Sequence, residues 1–246
     1  MKKILLVIAR YKDKEQQIYN KHLSPRNKEY AAKHGYEYVE IDNATELELV
    51  RDNPTWWKFS ILREWINTGK LTDGDIILHL DADMYITDIS NDLATSKSFT
   101  YAIDSGNTHC MGWYSLKIND WSKQMLEHLF SKDYPHPNGG KFWSIFREQA
   151  SWYSLAGVTP HSDTPYLQIP HFGWLSDFGQ SPVYSHEELY ENVEIRDHRF
   201  NVTEWPGESN CVYNINKLRD RDQVIIRHFV SGQLWNNELL INNWKK

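Results

Sequence analysis

One apolar run ends abruptly in two carboxylates that stand one residue apart: Ile76-Ile77-Leu78-His79-Leu80-Asp81-Ala82-Asp83-Met84-Tyr85-Ile86. Its length and β-branched content predict a strand buried on both faces. In open α/β sheets, ligands bind just beyond the carboxyl ends of the strands, so we expect Asp81 and Asp83 at a ligand site. Residues two apart in an extended or turning segment point the same way, which lets both carboxylates reach one cation.

The composition favours one large α/β domain over residues 1–246, because no segment resembles a linker. The formal net charge of -6, without a dense run of Lys and Arg, argues against nucleic acid or an anionic membrane as the main partner. Two distant cysteines form no disulfide framework, and no stretch approaches the ~20 apolar residues that cross a bilayer. We therefore expect a soluble, cytoplasmic protein. The 11 Trp and 14 Tyr favour carbohydrate handling, but only weakly.

The first residues imitate a signal peptide, but the apolar core is short and no small-residue cleavage site follows. We predict a parallel strand from Lys2 to Ala9 instead. Arg10 and Tyr11 would then lie in the first loop at the carboxyl edge, which in a nucleotide-binding α/β fold lies beside the base and ribose. An ordinary turn explains either residue equally well.

A helix and a second strand are predicted next. Ser24-Pro25 has the pattern of an N-cap followed by proline at the first helical position, and Gly35 supplies a left-handed stop. The residues from Tyr36 to Ile41 alternate as a strand does. The pattern is therefore strand, helix, strand.

The following helix is predicted from Asn53-Pro54-Thr55 to Gly69, and Lys58 falls near the middle of its apolar stripe. If the first turn of this helix lies at the carboxyl edge of the sheet, the ammonium is available to a phosphate or a carboxylate. In the alternative, the lysine stem follows the helix while the charge reaches solvent.

Later elements are predicted less sharply. Strands are expected over 99–103 and 107–116, a helix capped by Asn119, a loop over 133–140, and a helix from Phe142. That last helix carries Gln149 on its apolar face and Glu148 on the flank. A buried glutamine needs several partners, so Gln149 is either locked to backbone or held for a ligand. Residues 168–210 show no clear periodicity, and a final strand over 223–232 carries His228.

Two aspartates and a neutral imidazole make a mixed oxygen and nitrogen donor set suited to Mn²⁺, with Mg²⁺ also tolerated. So few protein ligands leave coordination positions open for a substrate. A diphosphate leaving group is the natural guest, because the metal stabilises the charge that appears when the bond to it breaks.

The chain resembles glycosyltransferase family 34, whose members are α-galactosyl-, α-xylosyl- and α-mannosyltransferases of the GT-A fold with a DxD motif. The resemblance spans 27–232. Its motifs, in order, are Asn27-Lys28-Glu29-Tyr30-Ala31-Ala32-Lys33-His34-Gly35-Tyr36, Trp57-Lys58 with Leu62-Arg63, Leu80-Asp81-Ala82-Asp83, Asn107-Thr108, Glu148-Gln149-Ala150 and His228-Phe229-Val230.

The resemblance implies a GT-A sheet, mixed and mainly parallel, with a nucleotide-sugar-binding half over 1–105 and an acceptor-binding half over 106–246. It implies that Asp81, Asp83 and His228 ligate Mn²⁺ bound to the diphosphate of a nucleotide sugar, UDP-linked rather than GDP-linked by preference. The family's aspartate–glutamine pair beside the transferred sugar falls on Glu148 and Gln149. The absence of the family's membrane anchor suggests a bacterial or viral relative.

Two sequence departures bear on the donor site. Arg147 stands where the family commonly has an aspartate, and the lysine that follows the family's His-Phe-Val motif is missing. We therefore expect a phosphate contact from Lys58, and a donor site that also includes Arg10, Tyr11 and Ala82.

The resemblance also implies transfer of a hexose or pentose to a saccharide acceptor with retention of configuration. Retention allows a double displacement through Glu148 or a same-face attack, and we favour the second. Two other classes remain open: a phosphatase of the haloacid dehalogenase type, which also has an aspartate pair after an apolar strand, and a non-catalytic carbohydrate-binding domain.

Overall fold

The computed structural model describes residues 1–9, 13–41, 54–104, 109–130, 148–157, 183–203, 224–229 and 241–242. Arg10, Tyr11, the 133–140 loop and the 168–174 segment lie outside these ranges. The strands, helices and contacts named below all lie within the described ranges.

The main sheet has six strands in the order β2-β1-β3-β6-β5-β7. The strands are β1 (Lys3–Ile8), β2 (Glu37–Ile41), β3 (Ile76–Asp81), β5 (Phe99–Ile103), β6 (His109–Lys117) and β7 (Val193–Arg196). The β1–β2, β1–β3 and β5–β7 pairs are parallel, whereas β6 is antiparallel to both β3 and β5. The predicted α/β class with a mixed, mainly parallel sheet flanked by helices is therefore confirmed.

A smaller sheet lies beside the carboxyl end of β3. Its order is β4-β9-β8, formed by β4 (Met84–Ile86), β9 (Ile226–His228) and β8 (Val202–Thr203). Because β4 follows β3 after a turn of two residues, this sheet begins where the central strand ends.

Six α-helices are described. They are α1 (Asp13–Ile18), α2 (Ser24–His34), α3 (Trp57–Asn67), α4 (Asp120–Phe130), α5 (Glu148–Ala156) and α6 (His186–Asn192). Among the described residues, no helix has the length and apolar character needed to cross a bilayer.

The alternation of side chains along the strands divides the core into two layers. Ile4 and Ile77 belong to the layer that contains the buried residues of α3, α4 and α5. Leu5 and Leu78, their neighbours in sequence, belong to the layer formed with α1, α2 and the small sheet. His79 stands two residues after Ile77 and therefore on the same side of β3, where its ring stacks on that of Tyr114 in the first layer.

Helix α2 begins at Ser24 and stops at Gly35 as predicted, but the expected capping role of Ser24 is wrong. A π-helical turn over Tyr19–Leu23 joins α1 to α2, so Ser24 lies within a continuous helical run instead of capping its start. The Ser24 hydroxyl donates to the Glu40 carboxylate at 3.0 Å. Gly35 ends the helix with φ of 70°, as the pattern predicts.

Candidate metal centre

Three potential metal ligands converge at the carboxyl end of β3. Asp81 is the last residue of that strand, Asp83 lies in the turn after it, and His228 ends β9. One ligand atom from each lies within 4.8 Å of the other two. The pairing of β4 with β9 sets Met84 opposite His228, and the backbone N–H of Phe229 donates to the Asp83 carbonyl at 3.0 Å. The small sheet therefore brings a distant histidine to the aspartate pair.

The imidazole of His228 is held from both ring nitrogens. Nε2 lies 3.3 Å from Oδ1 of Asp83, and Nδ1 lies 3.1 Å from Oδ1 of Asn201. Burial alone would lower the pKa of His228, but the Asp83 carboxylate outweighs it and raises the pKa to about 10. Without a cation in place, both ring nitrogens are therefore protonated. A metal would have to displace the proton on the nitrogen that it binds.

Asp81 is oriented by two donors. Its Oδ1 lies 3.0 Å from Nε2 of His79 and 3.3 Å from Nζ of Lys58. Burial would raise the pKa of this carboxyl, but Lys58 and then His79 overcome that effect and hold the pKa below its ordinary value. His79 is itself buried, and its pKa is lowered chiefly because of that burial. The Asp81 side chain is therefore ionised at neutral pH, and its two donors hold it in one orientation.

Lys58 is buried in the protein, with 4 % of its surface exposed. Its ammonium contacts Oδ1 of Asp81 at 3.3 Å, Oε1 of Glu148 at 3.1 Å and the Met111 carbonyl at 2.7 Å. Burial would lower the pKa of Lys58, but the Asp81 and Glu148 carboxylates raise it above its ordinary value. The alternative in which the charge reaches solvent is thus wrong, because these contacts use the three donors of the ammonium.

Helix α5 presents Glu148 and Gln149 to this region in different ways. Glu148 is 5 % exposed and meets the Lys58 ammonium, although the sequence pattern set it on the flank. Gln149 is half-buried, and its Oε1 accepts from the backbone N–H of Met111 at 2.9 Å. One of the two alternatives for Gln149, a hydrogen bond to backbone, is present, and a role of Gln149 toward a ligand stays a prediction. The backbone carbonyl of Met111 accepts from Lys58, and its N–H donates to Gln149, so both backbone polar groups of Met111 are paired.

Gly112 forms a wall of the site. A Cβ at this position would lie 2.7 Å from Cε of Met84, 3.0 Å from Cε1 of His228 and 3.3 Å from Oδ2 of Asp81. Such distances are shorter than ordinary carbon contacts. The missing side chain therefore makes room for two of the three potential metal ligands.

The donor set matches a divalent cation that prefers oxygen and accepts nitrogen. Two carboxylates and one imidazole are ligands that Mn²⁺ accepts, and Mg²⁺ is compatible with the carboxylates. The side chains behind them have the role of outer partners that orient metal ligands: His79 contacts Asp81, and Oδ1 of Asn201 accepts from His228.

The other residues predicted for the site are Ala82, Arg10 and Tyr11. Ala82, the residue between the two aspartates, is buried and packs in the layer formed with α1 and α2. Arg10 and Tyr11 fall outside the described residues. His79, Asn201 and Gly112 were not predicted from the sequence. Of these, His79 had a signal, because it stands two positions before Asp81 on a strand and so shares its face.

Neither protein-family models nor curated protein sequences give a match to this chain. Among solved structures, one similar chain is a glycosyltransferase involved in the glycosylation of the major capsid of PBCV-1, with a TM-score of 0.49, 13% identity and 94% of each chain covered. A Drosophila galactosyltransferase complex with manganese, UDP-Gal and xylobiose has a TM-score of 0.32 and 11% identity, with 52% of each chain covered.

A third similar structure is the glycosyltransferase GlyE from Streptococcus pneumoniae, with a TM-score of 0.42 and 11% identity. The alignment covers 94% of this chain and 55% of that one, so this chain spans about half the length of GlyE. All three neighbours are glycosyltransferases. Their TM-scores lie below 0.5, and at such values the geometry of the site has to carry any functional conclusion.

Proposed function

We propose that this protein is a metal-dependent glycosyltransferase that moves a hexose or pentose from a nucleotide sugar to a saccharide acceptor. The observation that carries the proposal is the convergence of Asp81, Asp83 and His228 at the carboxyl end of the central strand. Ligands of open α/β sheets bind at this edge. A mixed carboxylate and imidazole set with open positions suits a cation that also contacts a diphosphate.

In this proposal, Asp81, Asp83 and Nε2 of His228 hold Mn²⁺, with Mg²⁺ as a possible substitute. When bound, the ion supplies Lewis-acid stabilisation of the negative charge on the departing diphosphate. His79 and Lys58 keep Asp81 ionised and oriented. The backbone of Ala82, together with Arg10 and Tyr11, is proposed to line the donor site.

Lys58 serves the site as a buried counter-charge. Its three donors are used by Asp81, Glu148 and the Met111 carbonyl, so a direct phosphate contact would require one of them to be released. The proposal therefore includes no direct contact between Lys58 and the diphosphate.

We propose that Glu148 has a positioning role and is not the nucleophile. Retention then arises because the acceptor hydroxyl attacks on the same face from which the diphosphate departs. A carboxylate nucleophile must reach the anomeric carbon, whereas Glu148 is 5 % exposed and lies 3.1 Å from a buried ammonium. This ion pair stabilises the carboxylate and reduces its nucleophilic reactivity. In the same-face route, the departing phosphate accepts the proton of the acceptor hydroxyl, and no enzyme nucleophile is needed.

The experiment that tests the function is a donor screen. The protein is incubated with Mn²⁺ and a panel of UDP- and GDP-sugars, and released nucleoside diphosphate is measured with and without EDTA. We expect release from one or more donors, UDP-sugars first, that EDTA abolishes. No release from any donor, together with no binding of UDP or GDP in isothermal titration, would contradict the proposal.

The same titration separates the other two classes. A carbohydrate-binding domain would bind sugars and ignore nucleoside diphosphates, whereas a phosphatase would release inorganic phosphate from them. The family 34 relationship, the choice of UDP over GDP, the saccharide nature of the acceptor and a cytoplasmic location all stay predictions.

A further inference from the structure

The imidazole of His228 has two chemically distinct nitrogens, and only an unprotonated one can ligate a metal. Nε2 faces Asp83, and Nδ1 faces Oδ1 of Asn201 at 3.1 Å. The neutral ring has one N–H, and each ring nitrogen faces an oxygen that accepts. When Asp83 and Nε2 both ligate a cation, Nε2 uses its lone pair, and the N–H is left to Nδ1. A carbonyl-type oxygen on Nδ1 can only accept, and the proton must then stay on Nδ1.

Asn201 is well placed to impose this choice. It is fully buried and directly precedes β8, which pairs in parallel with β9 so that Thr203 lies opposite His228. The hydrogen bond thus joins neighbouring strands of the small sheet. Cε1 of His228 lies 3.0 Å from the point at which a Cβ of residue 112 would stand, so the glycine leaves room for the ring in this orientation.

We propose that Asn201 is a positioning residue that keeps the proton of His228 on Nδ1 and directs Nε2 toward a divalent cation held with Asp81 and Asp83. The inference rests on the metal site of the proposed function. Asn201 lies in a part of the chain without sequence periodicity, and its Oδ1 contacts the nitrogen of His228 that faces away from Asp83.

The test compares three variants. Asn201→Leu removes the acceptor, Asn201→Asp keeps an acceptor oxygen, and Val202→Ala loosens the packing of the same strand without touching the acceptor. Val202 is buried beside Asn201, which makes it a matched structural control. Mn²⁺ affinity is measured by isothermal titration, thermal unfolding monitors the fold, and ¹⁵N NMR of the Mg²⁺-loaded protein reports the ring tautomer.

We expect Asn201→Leu to weaken Mn²⁺ binding by about 10- to 100-fold, the usual cost of losing an outer partner of a metal ligand. We also expect it to give a mixture of ring tautomers. Asn201→Asp should bind within a few fold of the natural chain with the proton on Nδ1, and Val202→Ala should lower only the melting temperature. If the leucine variant does not fold, Asn201→Ala replaces it with the same expectations.

Unchanged Mn²⁺ affinity and an unchanged tautomer in Asn201→Leu would overturn the inference, as would an equal loss of affinity in Val202→Ala. Failure of the natural chain to bind Mn²⁺ is a different outcome, because it overturns the metal site of the proposed function itself.

Discussion

Nζ of Lys58 lies 3.3 Å from Oδ1 of Asp81, and this ion pair connects the sheet-facing side of α3 to the end of β3. The same ammonium lies 3.1 Å from Oε1 of Glu148 at the start of α5. The buried ammonium of Lys58 therefore joins three elements that are far apart in sequence. It lies next to the two aspartates of the candidate metal centre.

Replacing Lys58 with methionine leaves two carboxylates near each other without their cation. Because breaking a buried ion pair leaves an uncompensated charge, we expect the free energy of unfolding to fall by about 3–5 kcal/mol. Urea unfolding at pH 7 measures it. Lys58→Met with Glu148→Gln should recover part of the loss.

The matched control for Lys58 is Arg63→Met on the same helix. Arg63 pairs with Glu127 at 2.6 Å, but both side chains are about half exposed, so the cost should be at most about 1 kcal/mol. Equal costs for the two substitutions would contradict a special role for Lys58.

Gly112→Ala introduces a methyl group against Met84, His228 and Asp81. Overpacking of this kind costs about 1–3 kcal/mol of stability, and the shift of His228 should also weaken Mn²⁺ binding. Unfolding and titration with Mn²⁺ measure the two effects separately. Adding Met84→Leu, which removes the Cε methyl, should restore stability but not the metal affinity. Normal Mn²⁺ affinity in Gly112→Ala would exclude steric control of the site by Gly112.

Glu148→Gln separates the two retaining mechanisms. If attack occurs on the same face as departure, we expect turnover to stay within about tenfold of the natural chain, because no bond to Glu148 is formed. The measurement is steady-state release of nucleoside diphosphate with NMR assignment of the product anomer. Detection by mass spectrometry of a glycosyl group attached to Glu148 would disprove the same-face route, whereas a large loss of turnover alone would leave both mechanisms open.

Asp75 provides a pH-dependent test of how β1 and β3 are joined. Its carboxylate accepts from the backbone N–H of Lys2 at 2.6 Å and of Thr72 at 3.0 Å. Burial would raise the pKa of Asp75, but these backbone donors lower it below its ordinary value of 3.8. A depressed folded-state pKa contributes stability that is present above pH 3.8 and is lost as the pH falls through the lower folded value.

We therefore expect Asp75→Asn to lower the free energy of unfolding by about 1–3 kcal/mol at pH 7, because an amide replaces one accepting oxygen. The difference from the natural chain should shrink as the pH is lowered below 3.8. Urea unfolding at pH 7 and pH 3 measures it, with Asp73→Asn as the control because Asp73 is exposed. A difference that stays constant with pH would contradict the assignment.

The central strand and its acidic end could be predicted from the sequence, because the physical signals there are local. Ile76 to Leu80 is apolar apart from His79, and Asp81 and Asp83 follow at a spacing that lets them share one ligand. Lys58 could be singled out because a charge in an apolar helical stripe needs a partner. The identity of that partner could not be predicted, since the contacts of Lys58 with Asp81 and Glu148 are distant in sequence.

Local sequence patterns could not predict the arrangement around His228. The structure confirms a short strand ending in this histidine, but the strand belongs to a second sheet with β4 and β8. Nothing in a three-residue strand specifies that pairing. The same holds for Asn201, and for β6 lying between β3 and β5, because the order of strands depends on long-range packing. Ser24 shows the converse: its capping pattern is overridden by the π-helical turn before it.

The most direct test of the account is Mn²⁺-dependent release of nucleoside diphosphate from the donor panel by the natural chain and by Asp83→Ala, with thermal unfolding of both. Asp83 lies in a turn, and its side chain is directed to the His228 imidazole at 3.3 Å. We predict activity that EDTA removes in the natural chain, no measurable activity in the variant, and a retained cooperative unfolding transition in both. Full activity in Asp83→Ala would contradict the account.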